Sequence, residues 1–259
     1  MSADALYVYA ITEESAGADW GTGIDGRVVE PLQEDGLLAL VHRMDATPYA
    51  GTDEQVRRWA VEHSQVVERA WEAVGTVLPV TFDVLVAPTV DLTAAERLRA
   101  WLRANAAMVR ARLEAVRGRA ELKIELAFDV LAVQPALARD AAVASARTEL
   151  AGRPPGIRRL LEKKIEVAER AALEARAHDL SALALRSLSA LAEETRQHRP
   201  SKRSPGEHPV ISLSLLVARD RIEQVGAELS AIQQAHPAVH IRFLGPWPPY
   251  SFADLKIST

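Results

Sequence analysis

The sequence predicts an α+β protein of two domains. Three observations carry this: a length of 259 residues, which exceeds one typical domain; short β-prone apolar runs interleaved with long amphipathic helices; and Gly or Pro at the ends of those segments. The domain boundary falls near Gly118, giving a mixed α+β domain over 1–117 and a second domain over 118–259 that includes the C-terminal tail.

In chain order, Ala5 to Ile11 reads as a strand. A second strand, Leu37 to Val41, follows the turn signal Glu34-Asp35-Gly36. Between Thr52 and Gly75, the residues Val56, Ala60, His63, Val67, Ala70 and Val74 recur at spacings of three and four, the stripe of a helix packed on a sheet. Val77 to Val86, with Pro79 inside it and Pro88 beyond, reads as an edge or short strand, because proline cannot donate to a ladder. Thr93 and Glu96 form a capping box for a helix carrying Leu98, Leu102, Val109, Leu113 and Val116, and Gly118 ends it.

Glu121 to Val133 reads as a strand in which Leu122, Ile124 and Leu126 alternate with Lys123 and Glu125. Beyond Pro154-Pro155-Gly156 lies the longest helix, from Ile157 to about Glu194, either continuous or bent near Asp179, with both halves amphipathic. Gln197 to Pro209 has few apolar anchors and is expected to be a mobile, dispensable loop. A strand from Val210 to Ala218, a helix from Asp220 to Ala235 and a strand from Val239 to Leu244 close the order βαβαβ. That order fits a modified ferredoxin-like sheet covered by helices on one face.

Composition excludes several functions. A hydrophobic fraction of 48% and a charged fraction of 25% describe an ordinary folded chain. A net charge of −4, with both signs interleaved, gives no general attraction to nucleic acid or to anionic lipid. Cysteine is absent, which removes disulfides, thiolate nucleophiles and Cys-ligated zinc and fits a reducing cytoplasm. The opening MSADALYVYAITEES lacks the basic and apolar regions of a signal peptide, so a cytoplasmic protein that does not span a membrane is expected.

No residue pattern points to catalysis, a cofactor or a metal. Gly21-Thr22-Gly23-Ile24-Asp25-Gly26 satisfies GxGxxG, but extended residues Arg27 to Pro31 follow it where a dinucleotide site needs a helix. His63 sits alone on an apolar stripe, where a buried histidine bonded to a neighbouring carbonyl is the expected arrangement. His236 and His240 are separated by Pro237 and need not share a face. The Glu residues 162, 166, 169 and 174 alternate with Lys and Arg as on a solvated helix face.

The most unusual segment is Leu244-Gly245-Pro246-Trp247-Pro248-Pro249-Tyr250-Ser251-Phe252. Its prolines predict a stiff, extended chain that presents Trp247, Tyr250 and Phe252 at fixed positions. Pro246, Trp247, Pro248, Pro249, Tyr250 and Phe252 are therefore the candidate site, either as a structural clamp, expected on the second domain, or as a partner-binding segment.

This segment resembles the C-terminal signature of the gas vesicle F/L proteins. Leu6-Tyr7-Val8-Tyr9-Ala10-Ile11 is similar to the first strand of that family, and His63 with Val66-Val67 resembles its helix with a single histidine. Val77-Leu78-Pro79-Val80-Thr81-Phe82 resembles its VLPVRFG segment, departing at Thr81, where Arg is usual, and at Asp83, where Gly is usual; any role of that Arg does not carry over. Glu121-Leu122-Lys123-Ile124 resembles the E-x-x-K-V strand, and Gly156-Ile157 with the charged helix behind it resembles the variable helical region. The resemblance implies a non-enzymatic, vesicle-associated assembly factor that binds the small hydrophobic shell subunit and other accessory proteins. Residues 1–117 are the favoured contact surface, on the expectation that the tail and long helix occupy the other domain. The alternative from the residues alone is a ferredoxin-like small-molecule binder or enzyme.

Overall fold

A computed structural model describes residues 4–13, 19–150, 153–199, 205–255 and 257. The protein is α+β and divides into two compact units, one formed by residues 1–121 together with 246–259, the other by 122–245. The tail thus belongs to the first unit, not to the second as its position in the chain suggests.

The first unit is built on β1 (Asp4–Glu13), β2 (Glu30–Glu34) and β3 (Leu37–Asp45). Asp35 and Gly36 join β2 to β3 with φ of 52° and 69°, the left-handed pair that a two-residue hairpin turn requires. α1 (Asp53–Val74) starts on the Thr52–Gln55 capping box and ends at Gly75 in the left-handed conformation. The proline-bearing run after it supplies only two short pairings to β1, namely β4 (Leu78–Pro79) and β5 (Leu85–Val86). α2 (Ala94–Val116) carries the Thr93–Glu96 capping box, and Gly118 lies beyond it at φ 69°. The sheet order is β2-β3-β1-β4, with β5 also on β1. Central β1 is buried from Ala5 to Ile11. α1 covers the face bearing Tyr7 and Tyr9, and α2 buries Leu98, Leu102, Val109 and Leu113 against the sheet.

The second unit contains β6 (Arg119–Asp129), α3 (Val130–Leu137), α4 (Ala141–Leu150), α5 (Pro155–Ser189), β7 (Glu194–His198), β8 (Glu207–Ala218), α6 (Ile222–Ala235) and β9 (Val239–Trp247). The sheet order β7-β8-β6-β9 on a βαββαβ chain is the ferredoxin-like arrangement, with α3 and α4 added before α5. Leu122, Ile124 and Leu126 of β6 pack with Leu213, Leu215 and Val217 of β8 under α5 and α6.

Three expectations are corrected here. β6 stops at Asp129, whose carboxylate accepts from the amides of Leu131 and Ala132 and so starts α3 where a strand to Val133 was expected. α5 is continuous through Asp179 and ends at Ser189, before Glu194. The expected loop from Gln197 is narrower, because Gln197 and His198 pair with Leu213 and Ser212 in β7, and Glu207 to Pro209 open β8; residues 200–204 lie outside the described residues.

Candidate functional site

The sheet of the first unit places two tyrosines and two histidines in one sealed polar cluster. Tyr7 and Tyr9 on β1, His42 on β3 and His63 on α1 are each buried. His63 Nε2 lies 3.0 Å from the Val80 carbonyl, which can only accept, so Nε2 carries the proton and Nδ1 accepts from the Tyr7 hydroxyl at 2.8 Å. That hydroxyl in turn accepts from the Asp83 amide at 3.1 Å. The buried, carbonyl-bonded His63 expected from the sequence is therefore found. Tyr9 accepts from the Ile24 amide at 2.9 Å and meets His42 Nδ1 at 2.7 Å, while His42 Nε2 lies 3.3 Å from the Tyr49 hydroxyl. Tyr7 stacks on His42, with ring planes 7° apart.

Burial sets the protonation of the cluster. It pushes His42 and His63 down to about 4, and Tyr49 up to about 12. Tyr7 and Tyr9 are raised further by the same cause. All four central groups are thus neutral near pH 7.

Two sequence features find their explanation around this cluster. A Cβ on Gly23 would stand 2.0 Å from the Tyr9 hydroxyl, so the middle glycine of the GxGxxG match lets the loop backbone close on Tyr9. The residues after it pair as Thr22 with Val28 and continue into β2, without the helix that a dinucleotide site requires. Asp83, where the resembled family has Gly, adopts φ 68°, and its carboxylate accepts from the Tyr49 amide at 3.1 Å. A short polar side chain thereby holds a left-handed residue that glycine otherwise serves.

The tail docks on this unit. Pro248 and Pro249 are buried, and the chain then forms a single helical turn, α7 (Tyr250–Ala253), where an extended course was expected. The Tyr250 ring packs against the cluster with its centroid 6.4 Å from that of His63, and Phe252 and Ala253 are buried. The buried Glu121 carboxylate accepts from the Ser251 amide at 2.7 Å and from the Ser251 hydroxyl. Arg112 pairs with Asp254 at 3.0 Å, next to the turn that ends α7. Pro246 is exposed, and Trp247 is half-buried at the end of β9. Of the six candidate residues, Pro248, Pro249, Tyr250 and Phe252 are thus held by the first unit, while Pro246 faces solvent. His42, Tyr49 and Glu121 were missed by sequence reasoning.

Elsewhere, a cleft of about 340 Å³ in the second unit is lined mainly by apolar groups, among them Phe128, Val133 and Leu180, with Arg176 and Asp179. Arg176 donates to the Ala136 carbonyl at 3.1 Å. Among the described residues, no group of three His, Asp or Glu is placed to hold a metal, and no helix is long and apolar enough to cross a membrane.

Comparison with known proteins agrees with the architecture. The family model described as gas vesicle synthesis protein GvpL/GvpF matches residues 5–254. Gas vesicle protein L2 of Halobacterium salinarum is 32% identical, with 96% of this chain and 91% of that protein aligned. Gas vesicle protein L1 of the same organism is 30% identical over 96% and 89%. The crystal structure of the gas vesicle protein GvpF from an Anabaena species superposes with a TM-score of 0.76 over 98% of this chain and 99% of that one, at 19% identity. The GvpF structure from Microcystis aeruginosa gives 0.70 over 97% and 99%, at 20% identity. A family match along nearly its whole length, with a relative 32% identical over most of both chains, shows that the chain belongs to the GvpL/GvpF family of gas vesicle synthesis proteins.

Proposed function

We propose that this protein is a cytoplasmic, vesicle-associated assembly factor that holds the small hydrophobic shell subunit in solution before it polymerises, and that it works by binding rather than by catalysis. Family membership supports the setting. The sealed cluster supports the absence of chemistry there, since its histidines and tyrosines are neutral and engaged with one another.

The observation that carries the reading is β9. It forms one edge of the ferredoxin-like sheet, and it exposes Phe243 at 40% and Leu244 at 45%, on opposite faces of the strand. A free strand edge with apolar side chains is a template for pairing with another β-segment. A subunit with exposed hydrophobic strands is prone to edge-to-edge aggregation and is protected by such pairing. This moves the favoured contact from residues 1–117 to the second unit, because the tail that was expected to occupy that unit docks on the first. The affinity is in the micromolar range, about 8 kcal/mol, because the cargo must be released to the growing shell.

The test is co-expression of the shell subunit with the full chain and with the double variant Phe243→Glu, Leu244→Glu, measuring soluble shell subunit. The wild type should keep it soluble and the variant should not. Shell subunit that stays soluble without this protein, or equally with the variant, refutes the reading.

A further inference from the structure

The first turns of α5 carry a surface that the second unit does not use. Ile157, Leu160 and Val167 are exposed at 49%, 70% and 63% and lie on one side of the helix. The adjoining side, with Leu161, Ile165 and Ala168, is half-buried, and α5 packs against α4. Two surface ion pairs, Lys164–Glu149 at 2.7 Å and Arg147–Glu169 at 2.6 Å, link α4 to α5 beside the exposed stripe.

Positive charge predominates around this stripe. Residues 153–170 contain Arg153, Arg158, Arg159, Lys163, Lys164 and Arg170, six cations, against the three acids Glu162, Glu166 and Glu169. Arg158 pairs with Glu162 at 3.5 Å, but Arg159, Lys163 and Arg170 have no carboxylate partner among the described residues. This charge also opposes the helix dipole: the first turn has no acidic residue, and Pro154 provides no side-chain cap.

We propose that this face of α5 docks an amphipathic helix of a partner protein, its apolar stripe on Ile157, Leu160 and Val167 and its acidic side chains against Lys163, Arg159 and Arg170. From Ile157 to Val167 the stripe is about 15 Å long, room for three turns of a partner helix. A second copy of this chain fits poorly, since antiparallel pairing of α5 with itself sets the Lys163 and Arg170 row against its own like charges. A lipid surface fits poorly as well. The stripe has no aromatic residue to anchor it in a headgroup region. The surface is distinct from the β9 edge and independent of the shell-subunit reading.

The experiment uses the full chain and two synthetic helical peptides of about 20 residues with the same leucine stripe, one flanked by Glu and one by Lys, followed by fluorescence anisotropy. The Glu peptide should bind at least about tenfold more tightly than the Lys peptide. Leu160→Ser with Val167→Ser should weaken Glu-peptide binding by about tenfold or more. Lys163→Glu with Arg170→Glu should reverse the preference between peptides. Melting temperatures should hold in both variants, because the altered side chains are exposed, and Phe243→Glu in β9 should leave peptide binding unchanged. Equal binding of the two peptides, binding unaffected by the α5 variants, or sedimentation of the protein with phosphatidylserine vesicles through these residues without peptide binding would each overturn the proposal.

Discussion

Glu121 and Ser251 are joined by two hydrogen bonds across 130 residues of chain, the serine amide and hydroxyl both donating to one buried carboxylate. A buried carboxylate is stable only when its oxygens are engaged, so the two residues depend on each other. Ser251→Ala is expected to cost about 1 to 3 kcal/mol and Glu121→Ala more, with cleavage of the tail by a protease rising in both. Urea unfolding with limited proteolysis measures this.

Removal of the chain after Gly245 should destabilise the first unit, because Tyr250 and Phe252 leave a cavity beside His63 and β4. The loss of two large aromatic side chains is worth several kcal/mol, about 3 to 5 for a fully buried one. Hydrogen exchange should show faster exchange in α1 than in α6. The reverse pattern would mean that the tail supports the second unit after all.

Stability should fall as the solution is acidified from about pH 6.5 toward pH 4. Both buried histidines are depressed to about 4 from the usual 6.5, so they bind protons more readily when unfolded. Their contribution is complete above pH 6.5 and is lost through the interval down to 4, on the order of 3 kcal/mol for each histidine. Protonation of His63 at Nδ1 would remove the acceptor of the buried Tyr7 hydroxyl proton and set two N–H groups against that hydroxyl. His63→Phe should lower the melting temperature at pH 7 but flatten its dependence on pH in this range.

Gly23→Ala should destabilise the protein by about 1 to 3 kcal/mol, as overpacking does, since the new methyl group meets the Tyr9 hydroxyl. Equal stability of Gly23→Ala and the wild type would remove the packing explanation for this glycine.

Asp83→Ala should cost about 1 to 2 kcal/mol, because alanine keeps the left-handed strain at φ 68° and loses the bond to Tyr49. Asp83→Gly should be close to neutral, exchanging that bond for backbone freedom. Chemical denaturation of the two variants side by side checks the order.

The elements legible in the sequence were those with strong local signals: the Thr52 and Thr93 capping boxes, the Asp35-Gly36 turn and the apolar stripes of α1 and α2. β7 was hidden because Glu194 to His198 is polar, which an edge strand tolerates and which imitates the end of an amphipathic helix. With β7 in place the second unit reads βαββαβ instead of βαβαβ. His42 was hidden at the end of the apolar run Leu37 to Val41, since nothing local marks a histidine whose partners stand 33 residues before it and 7 after. The proline-rich segment was legible as a docking element, but its destination was not, because a local pattern carries no information on which distant surface receives it.

The second unit is an insertion: β6 leaves the first unit and the tail returns to it. On the ribosome, His63 and Glu121 therefore emerge long before Tyr250 and Ser251, which contact them. The first unit waits through the synthesis of the whole second unit for Tyr250 and Ser251 to arrive. A chain stopped anywhere before them leaves His63 without the Tyr250 ring and the Glu121 carboxylate without its two donors from Ser251. Docking of the tail is in this sense the last act of folding, and it links the order in the first unit to completion of the second.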